Sequence, residues 1–249
     1  MFAYLGKLSD TDFHSHHALQ ICIGLNKAFV LETQNGSKKY QAVVIDTDIR
    51  HKFDGMDDWH LILLVDPKHE KVHQIKKNIS IDKTGEPAFS LLETHVDDII
   101  HLMIQKASCN AVNNSMNSLL VLLSGSSQEI LETDQRIQKI FNYIESLEEK
   151  KVTVKTLTTL VNLSESRLSH IFKEQTGIPI RRYILWVRLM SALKDVISGQ
   201  SMTTAAFNAG FSDSAHFNRT FRSMFGVSPS TYVKKRKNSR FVQLIDCSG

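Results

Sequence analysis

The chain has 249 residues, 42% of them hydrophobic, enough for one large domain or two modest ones. Four prolines and eleven glycines argue against an extensively disordered chain, and no run of 18 apolar residues exists that would span a bilayer. Net charge is only +4, but its distribution is uneven: residues 150–240 carry 16 Lys and Arg against 4 Asp and Glu, whereas residues 1–149 carry 14 against 21. A basic part joined to an acidic part predicts a polyanion-binding segment beside one with another task, although a solvated basic surface would give the same count. The N-terminus, MFAYLGKLSDTDFHSHH, lacks the basic-then-apolar order of a secretory signal. Three widely spaced cysteines (Cys22, Cys109, Cys247) with no CxxC argue against a disulfide framework and favour a reducing, cytoplasmic setting.

In chain order, the first 65 residues read as short strands. Leu19–Leu25, Ala28–Thr33, Tyr40–Ile45 and Leu61–Val65 are apolar runs of strand length. Asn35-Gly36 is a two-residue hairpin signal, expected to join Phe29–Thr33 to Tyr40–Ile45. Such a succession predicts a small antiparallel barrel or sandwich. Lys71–Pro87 is polar and carries no clear period. From Phe89 to Gln105 the period becomes helical, and a second helix is expected over Met116–Leu123. Ser124-Gly125-Ser126-Ser127 reads as a linker.

Beyond Glu129 every signal is helical. Asp134–Glu148 carries an apolar stripe at 137, 140, 141, 144 and 147. Thr153 caps a helix running to Val161, and Ser164 caps another that ends at Thr176-Gly177. A long helix follows from Pro179 to Ser198, then a short one over Thr203–Ala209 and a longer one over Asp213–Phe225. Ser228-Pro229 starts a last helical turn.

This half contains one pattern twice. TLTTLVNLSESRLSHIFKEQTGIP starts at Thr156, and TAAFNAGFSDSAHFNRTFRSMFGVSP starts at Thr204. Leu157, Val161, Leu163, Leu168 and Phe172 correspond to Ala205, Ala209, Phe211, Phe217 and Phe221. Asn162 and Gly210 occupy the sharp turn, where a left-handed backbone is needed. Each copy is therefore a helix, a turn and a second helix that can enter a major groove. The exposed face of that second helix offers Ser166, Arg167, Ser169, His170 and Lys173 in the first copy, and Ser214, Asn218, Arg219 and Arg222 in the second. Glu165 and Asp213 lie in the first turn, where the helix dipole favours acids. The connecting helix of about 20 residues spans about 30 Å, close to the ~34 Å between successive major grooves on one face of DNA.

These two segments resemble the AraC/XylS-type family of transcription regulators; the second, AAFNAGFSDSAHFNRTFRSMFGVSPSTY, is close to the family signature. The resemblance covers about residues 134–235. It implies a seven-helix DNA-binding domain that reads promoter sequence. The matching base-reading positions are Ser166, Ser169 and His170, then Ser214, Ala215, Asn218 and Arg219. Ala215 can touch only a thymine methyl, whereas Arg219 suits guanine or phosphate. Arg222, Lys173 and Arg181 are read as holding phosphate and setting register, and Arg167 as a further DNA contact. His216 is placed against the domain rather than the groove. Where many relatives have alanine, this chain has Thr158, which then needs a backbone partner. The basic run Lys234–Lys237 reads as phosphate contact or solvated end.

Members of this family often carry a cupin-like barrel in front. His14-Ser15-His16-His17-Ala18-Leu19-Gln20-Ile21 resembles the start of such barrels, IDTDIRH (Ile45–His51) a later strand-turn, and LLVDP the closing strand. Cupin enzymes hold a metal with HxH, a carboxylate and a later histidine, and imidazoles at i and i+2 of a strand share a side. No glutamate follows at the usual place, and regulators of this type usually lack metal. The expectation is therefore no metal and no cofactor, with His14, His16, His17 and His51 lining an effector pocket.

The expected fold is a two-domain α+β chain: a cupin-like antiparallel β-barrel with helices over residues 1–127 (barrel about 1–66, helices about 88–123), then an all-α domain over 128–237 with two helix-turn-helix modules joined by a long helix, and a tail over 238–249. The expected function is a non-enzymatic, DNA-binding transcription regulator, an activator, acting as a homodimer on double-stranded promoter DNA, with an unknown small-molecule effector and RNA polymerase as partners. Two alternatives stand beside it: a constitutive DNA-binding protein without effector, and a cupin metalloenzyme with a helical appendage. No nucleophile–base pair or phosphate-binding glycine loop supports the last.

Overall fold

In a computed structural model of the full chain, the residues described are 1–8, 10–79, 82–125, 134–147, 151–231 and 243–246. They form two compact units: Met1–Ile130 with Phe225–Gly249, and Leu131–Met224. The division differs from the expected tail over 238–249. The four residues of β9 (Gln243–Asp246) pair antiparallel with β1 (Phe2–Leu8), so the end of the chain contributes a strand to the first unit. The remaining linker residues Ser126-Ser127 and the basic run Lys234–Lys237 lie outside the described residues.

The first unit holds two antiparallel sheets. One has six strands in the order β8 (Thr84–Gly85), β5 (Ala42–Ile45), β2 (Leu19–Gly24), β7 (Asp58–Val65), β1 and β9. The other has three, β4 (Gly36–Tyr40), β3 (Phe29–Thr33) and β6 (His51–Asp54). The cupin-like domain is thus built as two sheets packed on each other, without a single hydrogen-bonded ring among the described strands. The period of two divides each strand between two cores. Leu19, Ile21 and Ile23 of β2, Ala42 and Val44 of β5, and Leu61, Leu63 and Val65 of β7 face one side. Cys22, Val43 and Ile45 face the other, where they meet Phe29, Leu31 and Phe53 of the small sheet.

Helices cover the first side. These are α1 (Lys71–Asn78), α2 (Phe89–Ile104) and α3 (Cys109–Ser124). They bury Val72 and Ile75, then Leu92, Val96, Ile99 and Met103, then Val112, Met116, Leu119, Leu120 and Leu123. Helix α3 starts seven residues before the expected Met116. Ser108 caps it by accepting from the Ala111 N–H at 3.3 Å, and the polar opening CNAVNN hides a stripe that continues through Val112. Helix α1 falls where no period was legible, because only Val72, Gln74 and Ile75 of its eight residues are buried.

The hairpin signal is present with a different partner. Thr33 pairs with Gly36, so Gln34 and Asn35 form the loop, and Gly36 opens the return strand at φ 107°. That strand is the polar GSKKY, an edge strand exposed except at Tyr40. Lysines on an edge discourage further strand addition. Its polarity kept it out of a search for apolar runs, and Ala42–Ile45 crosses to the large sheet beside β2 instead.

The second unit is all helical: α4 (Gln135–Ser146), α5 (Val154–Val161), α6 (Glu165–Thr176), α7 (Ile180–Ile197), α8 (Met202–Asn208) and α9 (Ser214–Phe225, which runs one residue past the unit). Its first core joins Ile137, Ile140, Phe141 and Ile144 to Leu157, Leu168, Ile171, Phe172, Ile180 and Tyr183. Residues 229–231 are helical, at the expected last turn.

Candidate nucleic-acid interface

Local chemistry builds both helix-turn-helix modules. Thr153 caps α5 by accepting from the Thr156 N–H at 3.2 Å, and Ser164 caps α6 from the Arg167 N–H at 3.2 Å. Ser201 caps α8 from the Thr204 N–H at 3.1 Å. The Asp213 carboxylate accepts from the His216 N–H at 2.6 Å, a bond that, with the Ser212 hydroxyl, holds this carboxyl below its ordinary range. Between the helices, Asn162 stands at φ 51° and Gly210 at φ 82°. Both turns take the left-handed backbone expected of these residue types. Thr158 finds its backbone partner in the Lys155 carbonyl, 2.7 Å away.

Burial separates the two faces of each second helix. In α6, Leu168, Ile171 and Phe172 are buried, while Ser166, Arg167, Ser169, His170 and Lys173 are exposed. In α9, Phe217, Thr220, Phe221 and Met224 are buried, while Ser214, Ala215, Asn218, Arg219 and Arg222 are exposed. Arg181, also exposed, reaches the Glu165 carboxylate at 3.2 Å. His170 lies 3.7 Å from Glu174 across one helical turn. His216 presents its ring edge to Phe211, with centroids 5.3 Å apart. The 18 residues of α7 are about 27 Å long. This helix packs on α6 at one end and α8 at the other, and buries Tyr183, Trp186, Leu189 and Leu193. A rigid rod therefore joins the two modules.

Outside that core, Asp134 is an informative cap. Its carboxylate accepts from the Arg136 backbone N–H at 2.9 Å and from the Arg136 guanidinium at 2.6 Å. The guanidinium first, then the backbone bond, hold this carboxyl down at about 2. A depressed carboxyl stabilises the fold fully above its unfolded value near 4 and loses that contribution as pH falls towards 2. Asp134→Ala is expected to cost about 1 kcal/mol at pH 7. In urea titrations the deficit should shrink as pH drops below about 4.

The histidines named from sequence divide. His14, His16 and His51 come together, with ring centroids 4.2 to 5.9 Å apart. All three are buried. His17 turns away, placing Nδ1 2.7 Å from Asp48. His14 and His16 are not on a strand, since β2 begins only at Leu19. What places them is a two-residue bridge in which His14 and His51 exchange both backbone hydrogen bonds at 2.9 Å. Burial lowers the basicity of all three rings; that of His16 falls to about 4 and that of His51 well below the ordinary value. Gln20, absent from the sequence reading, sets its carboxamide oxygen against His16 Nε2 and donates to Cys22 Sγ at 2.8 Å. Its position four residues after His16 was the available signal.

Two exposed, polar reading helices on one rigid rod define a helix-turn-helix DNA-binding protein. Residues 157–235 match the family described as a helix-turn-helix domain. The chain is 26% identical over 232 residues to the "Probable transcriptional regulator LumQ" of Photobacterium leiognathi, covering 88% of this chain and 91% of that one. It is 36% identical over 114 residues to the transcriptional activator RhaS of Klebsiella pneumoniae, covering 45% of this chain and only 41% of RhaS. Its fold is that of ToxT from Vibrio cholerae, with a TM-score of 0.62 at 16% identity over 94% of this chain and 97% of the other. The chain carries a helix-turn-helix domain over residues 157–235, inside the segment that resembles AraC/XylS-type regulators. It is a DNA-binding transcription regulator. Among the described residues, no helix is long and apolar enough to cross a membrane.

Proposed function

We propose that this regulator reads promoter DNA with α6 and α9 in successive major grooves, and that a signal received by the β-sheet unit controls it. The carrying observation is the paired exposed faces, Ser166–Lys173 and Ser214–Arg222, held by α7 at a spacing close to one turn of DNA. Arg219 and Asn218 read base edges, and Arg167, Lys173, Arg181 and Arg222 hold phosphate. The protein acts in the cytoplasm as an activator that contacts RNA polymerase, and it catalyses no reaction.

For a signal site, the space between the two sheets favours the histidine end. Away from that end, Phe29 and Phe53 meet at a tilt with centroids 4.8 Å apart, and His60 lies edge-on to both. One solved ToxT structure is of that protein bound to an unsaturated fatty acid. The signal site is assigned here to His14, His16 and His51, which lie together and buried.

The same protein acts as a homodimer. Helices α2 and α3 keep Leu91, Ile104, Val121 and Leu122 exposed on the sides away from the sheet. Such apolar faces fit a second copy of the chain, with the same patch on each partner.

Selection of binding sites from random duplex DNA with the purified full chain tests the reading. The expected product is one motif repeated at a fixed separation, whose affinity falls with rising salt as counterions are released. A single unrepeated motif would overturn the dimer. No enrichment would overturn the promoter-reading assignment.

A further inference from the structure

Three imidazoles in the β-sheet unit are arranged as ligands rather than as packing. His14 is 6% exposed, His16 2% and His51 1%. Each carries a backbone carbonyl on Nδ1: Asp12 for His14 at 2.9 Å, Ala18 for His16 at 3.1 Å, and Ile49 for His51 at 2.8 Å. A carbonyl oxygen only accepts, so the ring proton of each neutral histidine sits on Nδ1. Nε2 is then a lone pair in all three. A hydrogen bond to one ring nitrogen, which fixes the tautomer and orients the other, is the support that metal-bound histidines regularly show.

The lone pair of His51 has no donor to satisfy it. His51 Nε2 is buried without a hydrogen-bond partner. His16 Nε2 faces the carboxamide oxygen of Gln20, whose amide hydrogens are turned to Cys22 Sγ. This contact puts an oxygen ligand atom beside the cluster. One ring nitrogen from each histidine lies within 4.8 Å of the other two. Tetrahedral ligation at about 2.0–2.1 Å needs nitrogens about 3.3 Å apart, so modest ring rotations close the set. Stacked histidines with saturated hydrogen bonds would be the ordinary packing outcome; the buried, unsatisfied Nε2 of His51 is the opposite.

We propose that His14, His16 and His51 bind one transition-metal dication of the zinc class through Nε2. Gln20 flanks the fourth position, which its oxygen or an exchangeable water fills. Three imidazoles and a carboxamide suit zinc, cobalt, nickel or copper, and discriminate against magnesium and calcium, which prefer oxygen shells. No metal is expected from sequence here, because no carboxylate follows the HxH at the usual place. The site goes beyond the proposed regulator function and stands on these residues alone.

The test is Co2+ titration of the full-length protein after chelator treatment. The expected result is saturation at one equivalent, with the intense visible absorption of four-coordinate cobalt, displaced by equimolar Zn2+ and untouched by excess Mg2+. X-ray absorption should count three imidazoles. The double variant His14→Gln, His51→Gln should lose the cobalt spectrum, whereas His101→Gln, an exposed histidine on α2, should keep it. Absence of saturable cobalt binding, or a first shell with fewer than three imidazoles, overturns the proposal. So does a folded double variant that still binds one equivalent; if that variant does not fold, the imidazole count in the unaltered protein decides. Promoter binding in a gel shift is measured separately, so loss of the metal claim leaves the DNA-reading claim to its own test.

Discussion

Phe172→Ala is expected to destabilise the helical unit by about 3–5 kcal/mol. The ring is fully buried on the inner side of α6 and is shared by three elements. It meets Phe141 of α4 at a centroid distance of 5.9 Å and Tyr183 of α7 at 5.4 Å. Truncation therefore opens a cavity where the first module joins the connecting rod. Against a typical domain stability of about 5–15 kcal/mol, that loss is a large fraction of the total. Urea denaturation followed by circular dichroism should show the midpoint move with little change in slope. DNA affinity should fall in parallel near the unfolding midpoint and recover on cooling. A loss below about 1 kcal/mol would mean that α6 is not anchored through this ring.

Arg219→Ala has the largest expected effect on recognition. Arg219 is exposed on α9 beside Asn218, one turn after Ala215 and one before Arg222. If it makes the bidentate contact to guanine that its geometry permits, removal costs about 1–3 kcal/mol, or about fivefold to 140-fold in affinity, and relaxes preference at one base position. Arg222→Ala should differ in kind. A phosphate contact is lost equally on every sequence, and the slope of log affinity against log salt should drop by about one. Parallel binding-site selection with both variants separates the roles. A uniform loss for Arg219→Ala would reassign it to the backbone.

The two modules are unequal in the chemistry they present. The face of α9 carries Arg219 and Arg222 around the small Ser214 and Ala215. The face of α6 presents Ser166, Ser169 and His170, with Arg167 and Lys173 beside them. Arg181 is held by Glu165 near the start of α6. A charge tethered at that end can approach phosphate without ordering a long side chain on binding, which lowers the entropic cost of contact.

The helical unit was legible from sequence because its signals are local. A cap at Thr153 or Ser164 bonds an N–H three residues on. The left-handed positions at Asn162 and Gly210 follow from residue type alone. The stripe that buries Leu168 and Phe172 recurs at the helical period, and its repetition as Phe217 and Phe221 identifies the second module. None of these needs a partner distant in the chain.

In the β-sheet unit the deciding contacts are distant, and only the tertiary structure chose them. Apolar runs mark Leu19–Leu25 and Leu61–Val65 as strands, but not that β2 and β7 are neighbours or that β9 joins β1. The polar strand Gly36–Tyr40 has no apolar signature because one face of an edge strand is solvated. His14 and His51 are 37 positions apart; their bridge exists because β6 and the loop before β2 meet in space. Composition could put histidines in the first fifty residues. Only folding turned His17 to Asp48, brought Gln20 against His16, and left His51 with a buried lone pair and no donor.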